Sequence, residues 1–329
     1  MPIRTNGTTL SRARYGGANA NRVRFGGVTY LLGDAATTPL AYLVLTAGAS
    51  QMKGRGDTSE TLDAETVGAW WDSSADGFET DFTTVGVANR ASEVGTMLTG
   101  FTDRLYALRG VPVYIVPGAY GGTAAITGNQ GNLNWSRTAG EVSGSNPGLR
   151  QYLGAEAAAA FAALVADGVP ANRISVLALW NGGNEALAMG TEPGRADVVA
   201  NLIDLPTAVD GFMASAGYAG PLPTWYMLGT GDSKVPTSAV TTSALYQIEG
   251  GEEGEADTSD VPITGGVATL SERWAYLTSE YRRVATDWQD GAIADPYVDS
   301  THYDTGPLRR IGVDAADKLH ALLGDAPEA

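Results

Sequence analysis

Four continuous apolar runs constrain the fold of this chain more than any other feature. They are 41–47, 111–116, 175–180 and 224–228, and a glycine follows each within two residues. None alternates apolar with polar. Unbroken runs of this length suit strands buried on both faces of a parallel sheet. Between and after them lie stretches with helical periodicity, roughly 92–108, 149–166, 196–203, 270–288 and 307–323. The alternating order predicts an α/β fold, a parallel sheet covered by helices on both sides in three α/β/α layers.

Residues 1–38 read differently. They carry Arg4, Arg12, Arg14, Arg22 and Arg24 against a single acid, Asp34. The stretch Val23–Tyr30 reads as two short strands around the Gly26-Gly27 turn. So short a piece cannot bury a core alone. We expect a β-rich attachment segment (1–38) that covers the main domain or docks onto a partner, followed by one large domain (39–329).

The formal net charge of −16 argues against a nucleic-acid partner, because no phosphate-neutralising surface is on offer. The absence of cysteine excludes disulfides, thiolate catalysis and cysteine-ligated zinc. With two histidines, a zinc site is not expected, and no cofactor is called for. No apolar run is long enough to span a bilayer, and the N-terminus lacks a signal-peptide core. The acidic stretch 249–260 reads as a solvated loop.

In open α/β sheets, ligands bind beyond the carboxyl ends of the strands. After the first run comes Gly48-Ala49-Ser50-Gln51-Met52-Lys53-Gly54-Arg55-Gly56. After the second comes Gly118-Ala119-Tyr120-Gly121-Gly122-Thr123, and after the third Asn181-Gly182-Gly183-Asn184-Glu185. Asp299-Ser300-Thr301-His302 precedes the last helix. These pieces suit acyl transfer. Ser50, on a tight turn at a helix start, presents a hydroxyl as nucleophile. Gly121 or Gly122 lets a backbone N–H approach a developing oxyanion, and an asparagine after the third strand adds a side-chain donor. His302 takes the serine proton while Asp299 fixes its tautomer.

Each residue also has a plainer reading. A serine at such a turn is often only a helix cap, and Gly121-Gly122 could simply make a turn. Asp317 and His320 repeat the spacing of Asp299 and His302, but inside the last helix, where such residues form a solvated face. Trp70, Trp71, Tyr120 and Trp135 could stack on sugar rings or fill the core. Glu185 is either a surface acid or an anchor for its loop.

The four blocks, in this order, resemble those of the SGNH (GDSL-like) hydrolases, over about residues 41–323. More narrowly they are similar to the sialate O-acetylesterase-type carbohydrate esterases. The G-Q-S-N-M-x-G-R-G block of those enzymes is matched by Gly48 to Gly56, with Ala49 and Gln51 replacing Gln and Asn. Their G-G-T block is matched by Gly121-Gly122-Thr123, and their closing D-x-x-H by Asp299 to His302. The third block departs, with Gly182 in place of a glutamine, and comes closer to the G-x-N-D of the wider group. The oxyanion side chain is therefore expected to be Asn184, with Asn181 as runner-up.

The resemblance implies a three-layer SGNH-hydrolase-like domain and a serine esterase. Its substrate would be an acylated, above all O-acetylated, carbohydrate or polysaccharide. The segment 1–38 also loosely resembles attachment ends of phage tail and fibre proteins, through residues such as Asn21 to Gly27. The alternative is thus a virion structural or receptor-binding protein on an esterase fold, with residues 1–38 contacting a virion partner or further copies. Its location would then be the virion, and otherwise the cytoplasm.

Overall fold

In the computed structural model, the described residues are 39–54, 68–72, 77–79, 96–121, 123, 125, 134–135, 148–181, 192–228, 273–277, 291–292, 294–297 and 302–324, together with six short strands within 1–38. The chain divides into two compact units, Met1–Thr38 with Ala326–Ala329, and Pro39–Asp325.

The first unit contains three separate two-stranded antiparallel ribbons. β1 (Ile3–Thr5) pairs with β2 (Thr8–Leu10), β3 (Arg14–Tyr15) with β4 (Ala18–Asn19), and β5 (Arg22–Phe25) with β6 (Val28–Leu31). In the last ribbon Phe25 pairs with Val28.

The second unit is built on a seven-stranded sheet. Its strands are β7 (Ala41–Gly48), β8 (Gly68–Asp72), β9 (Gly77–Glu79), β10 (Val113–Pro117), β11 (Ile174–Asn181), β12 (Trp225–Met227) and β13 (Trp274–Tyr276). Their order across the sheet is β13-β12-β11-β7-β10-β8-β9. Every pairing is parallel except that of the edge strand β9 with β8. Among the described residues the α-helices are α1 (Ser50–Lys53), α2 (Met97–Arg109), α3 (Leu149–Ala166), α4 (Glu192–Ser215) and α5 (Thr305–Leu323).

The unbroken apolar runs have the cause the sequence suggested. Side chains alternate between the two faces of a strand, and both faces are covered. Leu43, Leu45, Ala178 and Trp180 share one core with Leu153 and Phe161 of α3 and Leu205 and Val209 of α4. Val44, Ile115, Leu177 and Leu179 share the other with Phe101 of α2 and Leu308 and Ile311 of α5. The result is a three-layer α/β/α domain. No helix among the described residues is long and apolar enough to cross a membrane.

Several expected elements change. The helix expected over 270–288 is overturned at Trp274–Tyr276, which forms edge strand β13. Trp274 lies between Trp180 and Trp225, and its Nε1–H donates to Leu202 O at 3.1 Å. Sheet pairing and this aromatic pocket override the local helical pattern. α4 runs well beyond the expected 196–203 and continues across Pro206, because Val209 and Met213 are buried on the far side of it. β8 and β9 carry no unbroken apolar run and were not anticipated.

Candidate active site

Among the three central strands, β7 and β11 end level, and β10 ends two residues earlier. Gly48 of β7 faces Asn181 of β11, and Thr46 of β7 faces Pro117 of β10. The chain then turns sharply into α1. Gly48 has φ +118°, a left-handed value that favours glycine. A Cβ placed there would lie 1.9 Å from the Asn181 carbonyl oxygen. The following residue, Ala49, donates its N–H to that same oxygen at 2.9 Å. Ser50 therefore leaves the sheet from a point locked against the neighbouring strand.

The Gly48 carbonyl is held from the other side by three donors. The Tyr120 N–H, the Thr123 hydroxyl and the Trp135 indole N–H each lie 3.1 Å from it. This ties the loop after β10 to the turn before Ser50. Gly118 permits the close start of that loop, its N–H donating to Thr46 O at 3.0 Å where a Cβ would meet the same oxygen at 2.4 Å. Gly121 ends up beside the serine, since a Cβ added to it would lie 3.8 Å from Ser50 Cβ.

The histidine arrives from the far end of the sequence. Helix α5 packs on α2 at glycine contacts, where a Cβ on Gly312 would lie 1.8 Å from Met97 O and one on Gly100 2.4 Å from Arg309 O. Asp304 caps α5, its carboxylate accepting the Thr305 N–H at 2.6 Å. Just before it, Tyr303 is fully buried and bridges to Tyr297, with ring centroids 4.7 Å apart. The Asp304 N–H donates to Pro296 O at 2.7 Å. His302 projects from this pinned strand pair, and its Nε2 lies 2.8 Å from Ser50 Oγ. Both side chains are half-buried and remain within reach of a ligand.

Ser50, Gly121 and His302 are thus brought together. Gly122, Asn184, Asp299 and Glu185 lie outside the described residues. Asn181 closes β11 beside the turn but has no exposed surface. As it stands, its amide cannot meet an entering ester.

The second Asp-x-x-His pair has other work. Asp317 accepts from Arg104 Nε at 2.7 Å, and His320 Nδ1 lies 3.5 Å from Arg109 Nη1. That face of α5 therefore meets the arginines of α2 rather than open solvent alone. Trp70, Trp71 and Trp135 are at most 2% exposed, which removes them as sugar-stacking surfaces and makes them core residues. Three contributors gave little sign of their roles in the sequence: Trp135 behind Gly48, the Tyr297–Tyr303 bridge, and Lys53, whose ammonium sits 5.1 Å above the centroid of the Tyr120 ring.

No protein-family profile and no curated sequence matches this chain. Among solved structures, it is similar to NanS, with 16% identity, 86% of this chain and 96% of that chain covered, and a TM-score of 0.45. A protein of Arabidopsis thaliana matches at 11% identity over 88% of this chain and 99% of that one, with a TM-score of 0.45. Est24, a carbohydrate acetylesterase from Sinorhizobium meliloti, matches at 14% identity over 85% and 99%, with a TM-score of 0.36. At such distances the chemistry has to be argued from this chain's own geometry.

Proposed function

We propose that this chain is a serine esterase that removes small acyl groups, in the first instance acetyl, from a carbohydrate. The observation that carries the reading is the 2.8 Å approach of His302 Nε2 to Ser50 Oγ, at the carboxyl edge of the sheet. A helix-capping serine needs no histidine. A nucleophile needs a base within hydrogen-bond reach.

The chemistry follows from the arrangement. His302 accepts the Ser50 proton at Nε2, which requires the tautomer protonated at Nδ1. A carboxylate at Nδ1 selects that tautomer, and Asp299 is assigned this part. Ser50 Oγ attacks the ester carbonyl, and the oxyanion takes hydrogen bonds from backbone N–H groups of Ser50 and of Gly121 or Gly122. The Asn184 amide is assigned as the side-chain donor, the fully buried Asn181 being less suited. His302 returns the proton to the departing sugar hydroxyl. Water, activated by the same imidazole, then releases the acid and restores Ser50.

The test is hydrolysis of p-nitrophenyl acetate, followed by acetate release from O-acetylated polysaccharides. Ser50→Ala and His302→Ala should each lower kcat by about 10⁴-fold or more. A wild-type protein that turns over no ester, or a Ser50→Ala variant as active as wild type, would defeat the proposal.

A further inference from the structure

The residue one helical turn beyond the proposed nucleophile is a lysine with 7% of its surface exposed. Lysine is among the side chains least often buried, because desolvating its ammonium is costly. Lys53 also sits next to the site. Its stem reaches the loop after β10, with Cδ 3.9 Å from where a Cβ on Gly121 would stand. Its ammonium lies over the face of Tyr120, within the range of a cation–π contact. Tyr120 in turn donates its N–H to Gly48 O at 3.1 Å, two residues before Ser50. Ser50, Lys53, Tyr120 and Gly48 therefore form a closed ring of covalent and non-covalent links, with Gly121 on its rim.

From this ring we infer that Lys53 is a positioning residue for the oxyanion-binding loop, an inference that rests on the esterase reading. It acts through Tyr120 and Gly121, holding the loop at a fixed distance from Ser50. A backbone donor is useful only when it is aimed at where the oxyanion forms, before the reaction starts. Small displacements of such groups lower rates steeply. The stem passes beside Gly121, and the contact with Tyr120 uses the charge. Loss of the charge alone should therefore loosen the loop without opening a cavity.

The experiment compares Lys53→Met, which keeps an unbranched stem, with Lys53→Arg, which keeps the charge and stacks well on aromatic rings. Tyr120→Leu removes the ring and serves as an independent second variant should Lys53→Met fail to fold. Steady-state hydrolysis of p-nitrophenyl acetate is measured with the full chain, beside the rate at which diethyl p-nitrophenyl phosphate modifies Ser50. In that reaction Ser50 Oγ bonds to phosphorus and p-nitrophenolate leaves, while the serine proton passes to His302. Lys53→Met and Tyr120→Leu should each lower kcat by about 10–100-fold with KM within about threefold, the pattern of lost transition-state stabilisation. Labelling should slow in parallel, and Lys53→Arg should recover most of both rates. The double variant should be little worse than either single one, since both break one link.

A kcat within threefold of wild type in Lys53→Met or, where that variant does not fold, in Tyr120→Leu overturns the inference. A raised KM at unchanged kcat also overturns it, because Lys53 would then bind substrate rather than position the loop. Failure of Lys53→Arg to recover activity reduces Lys53 to packing. A wild type that neither hydrolyses esters nor is labelled at Ser50 defeats the esterase reading together with the inference. A labelled, active wild type with indifferent Lys53 variants defeats the inference alone.

Discussion

Replacing Gly48 by alanine should damage the fold and the site together. The new Cβ would stand 1.9 Å from Asn181 O and 2.6 Å from its carbonyl carbon, both backbone atoms of the adjacent strand. To reach a tolerable contact, one strand must move by more than about 1 Å in a close-packed interior. The movement breaks the Ala49 N–H to Asn181 O hydrogen bond, worth about 1 kcal/mol. Alanine at φ +118° adds about 1–2 kcal/mol of backbone strain. Displacing packed neighbours adds about 1–3 kcal/mol. The expected loss is thus about 3–6 kcal/mol, read by urea unfolding followed through tryptophan fluorescence. Ser50 should be labelled by diethyl p-nitrophenyl phosphate at least about tenfold more slowly in whatever protein remains folded, because its launch point has moved. Gly121→Ala is the internal control. Its Cβ would make only ordinary contacts, 3.8 Å to Ser50 Cβ and 3.9 Å to Lys53 Cδ. Stability should change by less than about 1 kcal/mol while kcat falls by roughly tenfold. A Gly48→Ala protein within about 1 kcal/mol of wild type and labelled at the normal rate would refute the reasoning about this turn.

Further outcomes can be checked with the same preparations. Gly312→Ala pushes a Cβ into Met97 O and should separate α5 from α2. We expect a loss of about 2–4 kcal/mol in urea unfolding and slower Ser50 labelling, as His302 is carried by the approach to α5. Asn184→Ala should lower kcat by about 10²–10³-fold with little change in KM; an unchanged kcat would leave the role to the backbone donors alone. Tyr218 is buried, and burial is the main cause that pushes its phenol up to about 12. The unfolded phenol ionises near the ordinary value of about 10, so above that pH the unfolded chain releases a proton that the native one keeps. Stability should therefore fall by up to about 2–3 kcal/mol between about pH 10 and 12. Tyr218→Phe should flatten that fall, at the cost of the 2.7 Å hydrogen bond to Pro221 O; an unchanged alkaline profile would contradict it.

The sequence by itself determined the strands that are buried on both faces and the helices that follow them. The unbroken runs at 41–47 and 175–180 became β7 and β11, and α3 formed over its expected residues, 149–166. These elements were legible because strand and helix patterns are written in neighbouring residues. The neighbourhood of Ser50 and Gly121 was legible too, because both follow strand ends that could be counted off. Tertiary structure alone decided that Trp274 joins a sheet rather than a helix, and that Trp70, Trp71 and Trp135 face inward. It alone set Lys53 over Tyr120 and aimed His302 at Ser50, 252 positions away in the chain. Such contacts depend on strand order and on how closely two helices approach, here through Gly100 and Gly312. Those are properties of packing between distant segments, and a local pattern carries no record of which distant segment will arrive.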